Sequence, residues 1–342
     1  MRIFQAQTNS TGSGSRYSQK SCWLAVLLLA FIGWIHLTGK TGEPPTPGSE
    51  ATPKESLKTK SPWDRIVMVG ASATAGFTES EPLGGPKTPQ YRLSRYLEAA
   101  LRVAHKPVQN LANTMFFIQP EAAGRFQIDQ ALKASPTLVV GIDFLFWFCY
   151  GEGPAEKDRL QRFEKGLELL DTVQCPLVLG DIPDASGASN DMLPADQIPS
   201  RETMSAANRR LKQWAVARRQ VVIVSLSGFM RAAMANQALT IHGHTEPAGK
   251  TRGLLQSDRL HPSQRGCAVL VLAILDAVQS TRPAHTSGEI RWNPEEVFER
   301  GFNAAQGPPP SEFILRHLSQ AEFKRKPAQQ QRQEYEPGPT CK

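Results

Sequence analysis

The sequence predicts an α/β protein: a three-layer α/β/α sandwich around a five-stranded parallel sheet. Five short apolar runs carry this prediction, at residues 65–69, 107–111, 137–142, 177–180 and 221–225. Apolar runs without polar alternation are typical of strands that are buried on both faces. Helical patterns separate the runs and follow the last one, at residues 89–104, 119–134, 156–173, 200–218 and 262–279. Strands that alternate with helices indicate βαβ units and therefore a parallel sheet.

The order of the strands decides which loops meet. Right-handed crossovers and the flavodoxin-like strand order 2-1-3-4-5 bring the loops after the first three strands to one crevice. Ser72, Asn113 and Asp143 follow these three strands. We therefore expect all three to face the same crevice, within a single domain of about 220 residues.

A serine, an aspartate and a histidine form the most specific pattern in the chain. Residues 66–77 read as a buried strand, a turn and a helix start, with Ser72 where the two elements meet. Asp258 and His261 lie three residues apart before the helical run at 262–279. A nucleophile, an orienting acid and a base are the groups that acyl transfer requires. Each half alone leaves a simpler alternative open, since Ser72 or Asp258 could only cap a helix.

These motifs resemble those of the SGNH (GDSL-like) hydrolase superfamily, and the chain looks like a divergent member. Gly70-Ala71-Ser72 corresponds to the family's Gly-Asp-Ser turn, with Ala71 in place of its aspartate. Asp258 and His261 belong to an intact Asp-x-x-His-Pro block. The resemblance extends from about residue 63 to residue 280. It implies a serine hydrolase in which Ser72 attacks, His261 is the base and Asp258 orients the imidazole.

The middle of the chain departs from that family. The family has a glycine after strand two and an asparagine after strand three, and both donate to the oxyanion. Here Ala112 and Asn113 lie in a segment without glycine, and Asp143 stands in the place of the asparagine. The resemblance implies that these three residues line the oxyanion or substrate site. A carboxylate at 143 would repel an oxyanion, unless it is protonated or turned away to accept loop N–H groups.

The composition divides the chain into five segments. Residues 1–20 are basic, and residues 21–39 are uncharged, apolar and about long enough to span a bilayer. No A-x-A site follows, which favours an uncleaved signal anchor over a cleaved signal peptide. Residues 40–62 form a Pro/Ser/Lys-rich linker, residues 63–285 the hydrolase domain, and residues 286–342 a polar, largely disordered tail. The basic residues before the anchor place the body outside the cytoplasm.

Several functional classes lack support in the sequence. The net charge is +7, but the densest basic cluster lies on the amphipathic helix predicted at 200–218 and no nucleic-acid motif accompanies it. There is no phosphate-binding or dinucleotide-binding glycine loop, so no cofactor is expected. His242 and His244 have no third ligand nearby, and the five cysteines have no paired spacing, so no metal is expected either.

The sequence therefore predicts a membrane-anchored serine esterase that acts outside the cytoplasm on an acyl ester, such as a glycan or lipid ester. Two alternatives stay open. One is a non-catalytic, envelope-anchored binding protein that retains the hydrolase fold. The other is an acyltransferase that uses the same residues to modify an exported polymer.

Overall fold

The computed structural model describes residues 61–152, 155–281 and 288–304. Its centre is a parallel sheet with the order β2-β1-β3-β4-β5, which confirms the predicted α/β class and strand order. The strands are β1 (Ile66–Met68), β2 (Gln109–Asn110), β3 (Leu138–Gly141), β4 (Leu177–Gly180) and β5 (Val221–Val224). In register, Met68 pairs with Asn110 on one side and with Val140 on the other.

The helices cover both faces of this sheet. They are α1 (Ser72–Ala75), α2 (Leu93–Ala100), α3 (Pro120–Lys133), α4 (Phe146–Cys149), α5 (Glu156–Leu170), α6 (Arg201–Val216), α7 (Leu226–Ala235), α8 (Gln264–Gln279) and α9 (Pro294–Ala304). Helix α7 and a small antiparallel hairpin, β6 (Leu239–Ile241) and β7 (His244–Glu246), fall where the sequence predicts neither. A 3₁₀-helix at Thr114–Ile118 follows β2 and will be important for the site.

Two apolar clusters form the core, one on each face of the sheet. Side chains alternate along a strand, so Ile66 and Met68 enter one cluster while Val67 enters the other. Helices α2, α7, α8 and α9 contribute to the first cluster, and α3, α4, α5 and α6 contribute to the second. Burial on both faces is the reason that β1, β3 and β4 read as continuous apolar runs, whereas the edge strand β2 is polar and only partly buried.

Part of the segment that the sequence assigns to the C-terminal tail is folded. Residues 288–304, which we assigned to a disordered tail from residue 286, are part of the folded body. Ile290 makes a β-bridge with Leu101, and Val297 of α9 is fully buried. Gly301 packs so closely on Tyr96 that a Cβ would lie 2.5 Å from the ring. Val297 and Gly301, four residues apart, form one face of the helix, a short apolar stripe within a polar sequence.

The predicted anchor at residues 21–39 and nearly all of the linker lie outside the described residues. Within residues 61–152, 155–281 and 288–304, none of the helices has the length and apolar character needed to cross a membrane.

Candidate active site

The turn between β1 and α1, residues Gly70–Ser72, carries the candidate nucleophile and is called the nucleophile turn below. Gly70 has a φ of +140°, and a Cβ there would lie 2.1 Å from Asp143 Oδ1. Both facts require glycine at this position. Ser72 is the first residue of α1 and is partly buried, close to the C-terminal end of β1.

Ser72, His261 and Asp258 form one chain of hydrogen bonds, although 189 residues separate the serine from the histidine. His261 Nε2 lies 2.8 Å from Ser72 Oγ, and His261 Nδ1 lies 2.6 Å from Asp258 Oδ2. Asp258 Oδ1 also accepts the main-chain N–H groups of Leu260, at 2.9 Å, and His261, at 3.0 Å. The ring of Phe77 stacks on the imidazole with a centroid distance of 4.0 Å. With the proton of neutral His261 on Nδ1, Nε2 faces Ser72 as a base.

Asp258 is only 1% exposed but remains a good partner for an imidazolium. Burial by itself would raise the pKa of its carboxyl group. The hydrogen bond and charge of His261, with the N–H groups of Leu260 and His261, outweigh that effect and hold the pKa below its ordinary value. The group is therefore a carboxylate at neutral pH.

Asp143 does not take the place that the family's asparagine implies. Its Oδ1 accepts the Ala71 N–H at 3.0 Å and the Thr74 hydroxyl at 2.6 Å, and its Oδ2 accepts the Thr74 N–H at 3.1 Å. The carboxyl group thus lies beneath the nucleophile turn and holds it to the end of β3. Burial raises the pKa of Asp143, and these hydrogen bonds oppose the shift only in part. The sequence analysis left two arrangements open, a protonated Asp143 or a side chain that is turned away to accept loop N–H groups. The hydrogen bonds from Ala71 and Thr74 correspond to the second arrangement.

The main-chain N–H groups of Ala112 and Asn113, which we expected at the oxyanion site, already have acceptors. Ala112 donates to Asn110 Oδ1 at 3.0 Å, and Asn113 donates to the Gly70 carbonyl at 3.1 Å. The Asn113 side chain caps the following 3₁₀-helix by accepting the Met115 N–H at 2.8 Å. Neither N–H group is therefore free to bind an oxyanion.

Three other donors near the serine have no acceptor within the described part of the chain. They are the main-chain N–H groups of Ser72 and Ala73 and the side-chain Nδ2 of Asn113. The first two are the unpaired N–H groups that every helix start leaves open. The third belongs to a side chain whose Oδ1 is already fixed, so its rotation is restricted.

Gln127 on α3 also holds the nucleophile turn, and the sequence analysis missed it. Its Oε1 accepts the Gly70 N–H at 2.7 Å and its Nε2 donates to the Gly70 carbonyl at 2.9 Å. The residue is 1% exposed, on the same face of α3 as Ile128 and Ala131. The sequence could have indicated this role, because Gln127 lies on an otherwise apolar face of the helix and a buried amide requires hydrogen-bond partners.

A small cavity of about 50 Å³ opens beside Ser72. Two rings of the aromatic segment that follows β3, Phe146 and Trp147, line it. Phe144 and Phe148 of the same segment are fully buried in the core. Among the described residues no group of three or more His, Cys, Asp or Glu side chains could hold a metal ion. His242 instead stacks on Trp292 and lies 2.8 Å from Asp276 Oδ1.

Replacing Asp143 by asparagine should weaken both the fold and catalysis. An amide cannot accept at both of its ends, so one buried N–H or hydroxyl donor loses its partner, which costs about 1–3 kcal/mol. Urea unfolding should show that loss, and kcat should fall because Ser72 is less well held. Asp129→Asn, the same change on the exposed face of α3, should leave both unchanged. A higher kcat for Asp143→Asn would instead indicate that the charge hinders the reaction.

The lowered pKa of Asp258 predicts a pH-dependent contribution to stability. Its ionised form is favoured in the folded state, so the contribution is complete above the unfolded value of about 3.9 and is lost as the pH falls through the lower folded value. The difference in unfolding free energy between the wild type and Asp258→Asn should be largest near neutral pH and smaller at about pH 3. Urea titrations at the two pH values measure it, and an equal difference at both would contradict the assignment.

No protein-family model matches the chain, and no curated protein sequence matches it significantly. Solved structures that it resembles include a lipase/acylhydrolase from Enterococcus faecalis (16% identity, 67% of this chain and 98% of that chain, TM-score 0.42). Another is an acetyl-xylooligosaccharide esterase variant from Geobacillus (17% identity, 63% of this chain and 94% of that chain, TM-score 0.41). A third is a GDSL-like lipase from Bacteroides thetaiotaomicron (13% identity, 64% of this chain and 87% of that chain, TM-score 0.38). At these identities and TM-scores, function has to be argued from the site itself.

Proposed function

We propose that the protein is a serine esterase that hydrolyses an acyl ester. The observation that carries this proposal is the hydrogen-bonded chain from Ser72 through His261 to Asp258, with distances of 2.8 and 2.6 Å. Both distances suit proton transfer from a serine to a positioned base. The apolar cavity beside Ser72 supports an acyl group as the part of the substrate that binds there.

The reaction follows from the positions of these atoms. As Ser72 Oγ bonds to the ester carbonyl carbon, its proton passes to His261 Nε2, and Asp258 stabilises the imidazolium. The tetrahedral intermediate collapses, the bond to the alcohol oxygen breaks, and His261 returns the proton to the leaving alcohol. Water then attacks the acyl–Ser72 ester with His261 again as base, which releases the acid and restores the serine.

The negative charge on the intermediate needs donors, and we assign this role to the three unpaired groups described above. The main-chain N–H groups of Ser72 and Ala73 lie at the start of α1. The main-chain N–H of Asn113 donates to the Gly70 carbonyl and so ties this residue to the same turn. A side-chain amide from the loop after β2 would then replace the donor that Asp143 cannot supply. Preorganised donors of this kind stabilise the transition state more than the substrate.

Ser72→Ala should abolish ester hydrolysis and leave the fold intact. The side chain provides the nucleophile but little packing, and the loss of a triad residue commonly lowers kcat by several orders of magnitude. The measurement is hydrolysis of p-nitrophenyl acetate, together with covalent labelling by a fluorophosphonate and circular dichroism. Ser225→Ala, at the cap of α7, is a matched control that should retain labelling. If the wild type neither labels nor hydrolyses the ester, the protein is a non-catalytic binding protein of this fold.

Asn113→Asp tests the donor assigned to the side chain. Aspartate keeps the oxygen that accepts the Met115 N–H, so the 3₁₀-helix retains its cap, but it has no N–H to offer an oxyanion. We expect kcat to fall by about 10²–10³ with little change in thermal stability. Asn113→Ala, which adds no charge and removes both the cap and the donor, should show a similar loss of kcat together with a lower thermal stability. Activity close to that of the wild type in folded Asn113→Ala would assign the oxyanion to main-chain donors alone.

We further propose that residues 21–39 anchor the enzyme to a membrane and that the body acts outside the cytoplasm. The uncharged apolar composition of that segment supports the anchor, and the basic residues before it support the orientation. Deletion of residues 1–39 should release the protein into the soluble fraction after cell lysis. A truncated protein that stays with membranes through salt and carbonate washes would contradict a single N-terminal anchor.

A further inference from the structure

We infer that the esterase selects short, uncharged acyl groups of about two to five carbons; this inference rests on the proposed function. It comes from the cavity beside Ser72, most of whose walls are formed by residues outside the triad. Ser72, Asp143 and His261 are its only polar lining residues, and Asp143 has its carboxyl oxygens engaged by the nucleophile turn. An acyl chain that enters therefore meets apolar side chains.

The walls come from both faces of the sheet. Phe146 and Trp147 of α4 belong to one core cluster, while Phe229 and Met230 of α7 and Leu270 of α8 belong to the other. The cavity thus occupies the gap where the two clusters meet at the end of the strands. An acyl chain can therefore extend into the cavity from the ester carbonyl carbon that Ser72 attacks.

The size of the cavity limits the length of the chain. About 50 Å³ is open to water-sized groups, and one such group needs roughly 10–15 Å³. The cavity therefore holds at most about five groups of that size, so pentanoyl is the longest acyl chain that fits, and shorter chains down to acetyl fit as well.

A longer chain would have to displace side chains that are already packed. Phe229 and Met230 are each 4% exposed and Leu270 is 2% exposed, so none of them can turn into solvent without opening the core. Close-packed interiors resist added volume. Among the described residues no lysine or arginine lines the cavity, so an acyl group that carries a carboxylate would find no permanently charged partner there.

The first test is the chain-length profile of the full-length enzyme on p-nitrophenyl esters from acetate to dodecanoate. We expect kcat/KM to peak between two and five carbons and to be at least about tenfold lower for octanoate. A peak at eight or more carbons would overturn the inference while leaving the esterase proposal standing. If Ser72 is not labelled and no ester is cleaved, both proposals fail together.

The second test compares two leucines on α8. Leu270 lines the cavity, whereas Leu275 is equally buried on the same helix but does not line it. Leu270→Ala should raise the ratio of octanoate to butyrate kcat/KM by at least about tenfold, because the wall recedes. Leu275→Ala should leave the ratio unchanged, and the ratio does not depend on how much of either variant folds. Met230→Ala provides a second enlargement, and an unchanged ratio in both enlarged variants would overturn the inference.

Discussion

The site depends on the buried carboxyl group of Asp143. The nucleophile turn contains glycine, alanine and serine, which offer little apolar surface of their own to hold it in place. Asp143 compensates by accepting three hydrogen bonds from Ala71 and Thr74, and Gln127 adds two from the other side. Buried polar groups that lose a partner cost about 1–3 kcal/mol each, so alternative positions of the turn are disfavoured. Ser72 is therefore held at the C-terminal end of β1, because the side chains of Asp143 and Gln127 are hydrogen-bonded to the residues around it.

A second constraint brings the base to the serine. Asp258 organises its own loop by accepting two main-chain N–H groups as well as His261 Nδ1. Asp258 therefore fixes the orientation of the imidazole independently of Ser72. The ring of Phe77 stacks on the imidazole and restrains it further. Each half of the triad is built locally, and helix α8, packed in the core, holds the second half against the sheet. Preorganisation of this kind allows proton transfer without a rearrangement of the site.

Asp143 also bears on the proposed chemistry, because it compensates for a departure from the motifs of the family that the sequence resembles. The acid that the family carries within the nucleophile turn is replaced by Ala71, and a carboxyl group reaches the same turn from the end of β3 instead. The amide that the family carries after β3 has a counterpart in Asn113 after β2. The acceptor thus comes from the end of β3 instead of from the turn after β1, and the assigned donor comes from the loop after β2 instead of from the end of β3. Two of the three departures from the family pattern, at Ala71 and at Asp143, therefore have a substitute of the same type near the nucleophile turn, which supports the proposal of an active enzyme.

The sequence by itself predicted the sheet order, the central helices and the serine, histidine and aspartate that the fold brings into contact. These features follow from apolar runs, from helical periodicity and from motifs whose residues are close in sequence, all of which are local signals. Only the tertiary structure decided what Asp143 and Gln127 do, since their partners in and beside the nucleophile turn lie 57 to 72 residues away, and only it tied the main chain of Asn113 to Gly70. It also decided that residues 288–304 belong to the body, because α9 has only a short apolar stripe and its burial depends on α2 and α8. The acyl cavity is likewise invisible in the sequence, since its walls come from separate elements that meet only when both faces of the sheet are packed.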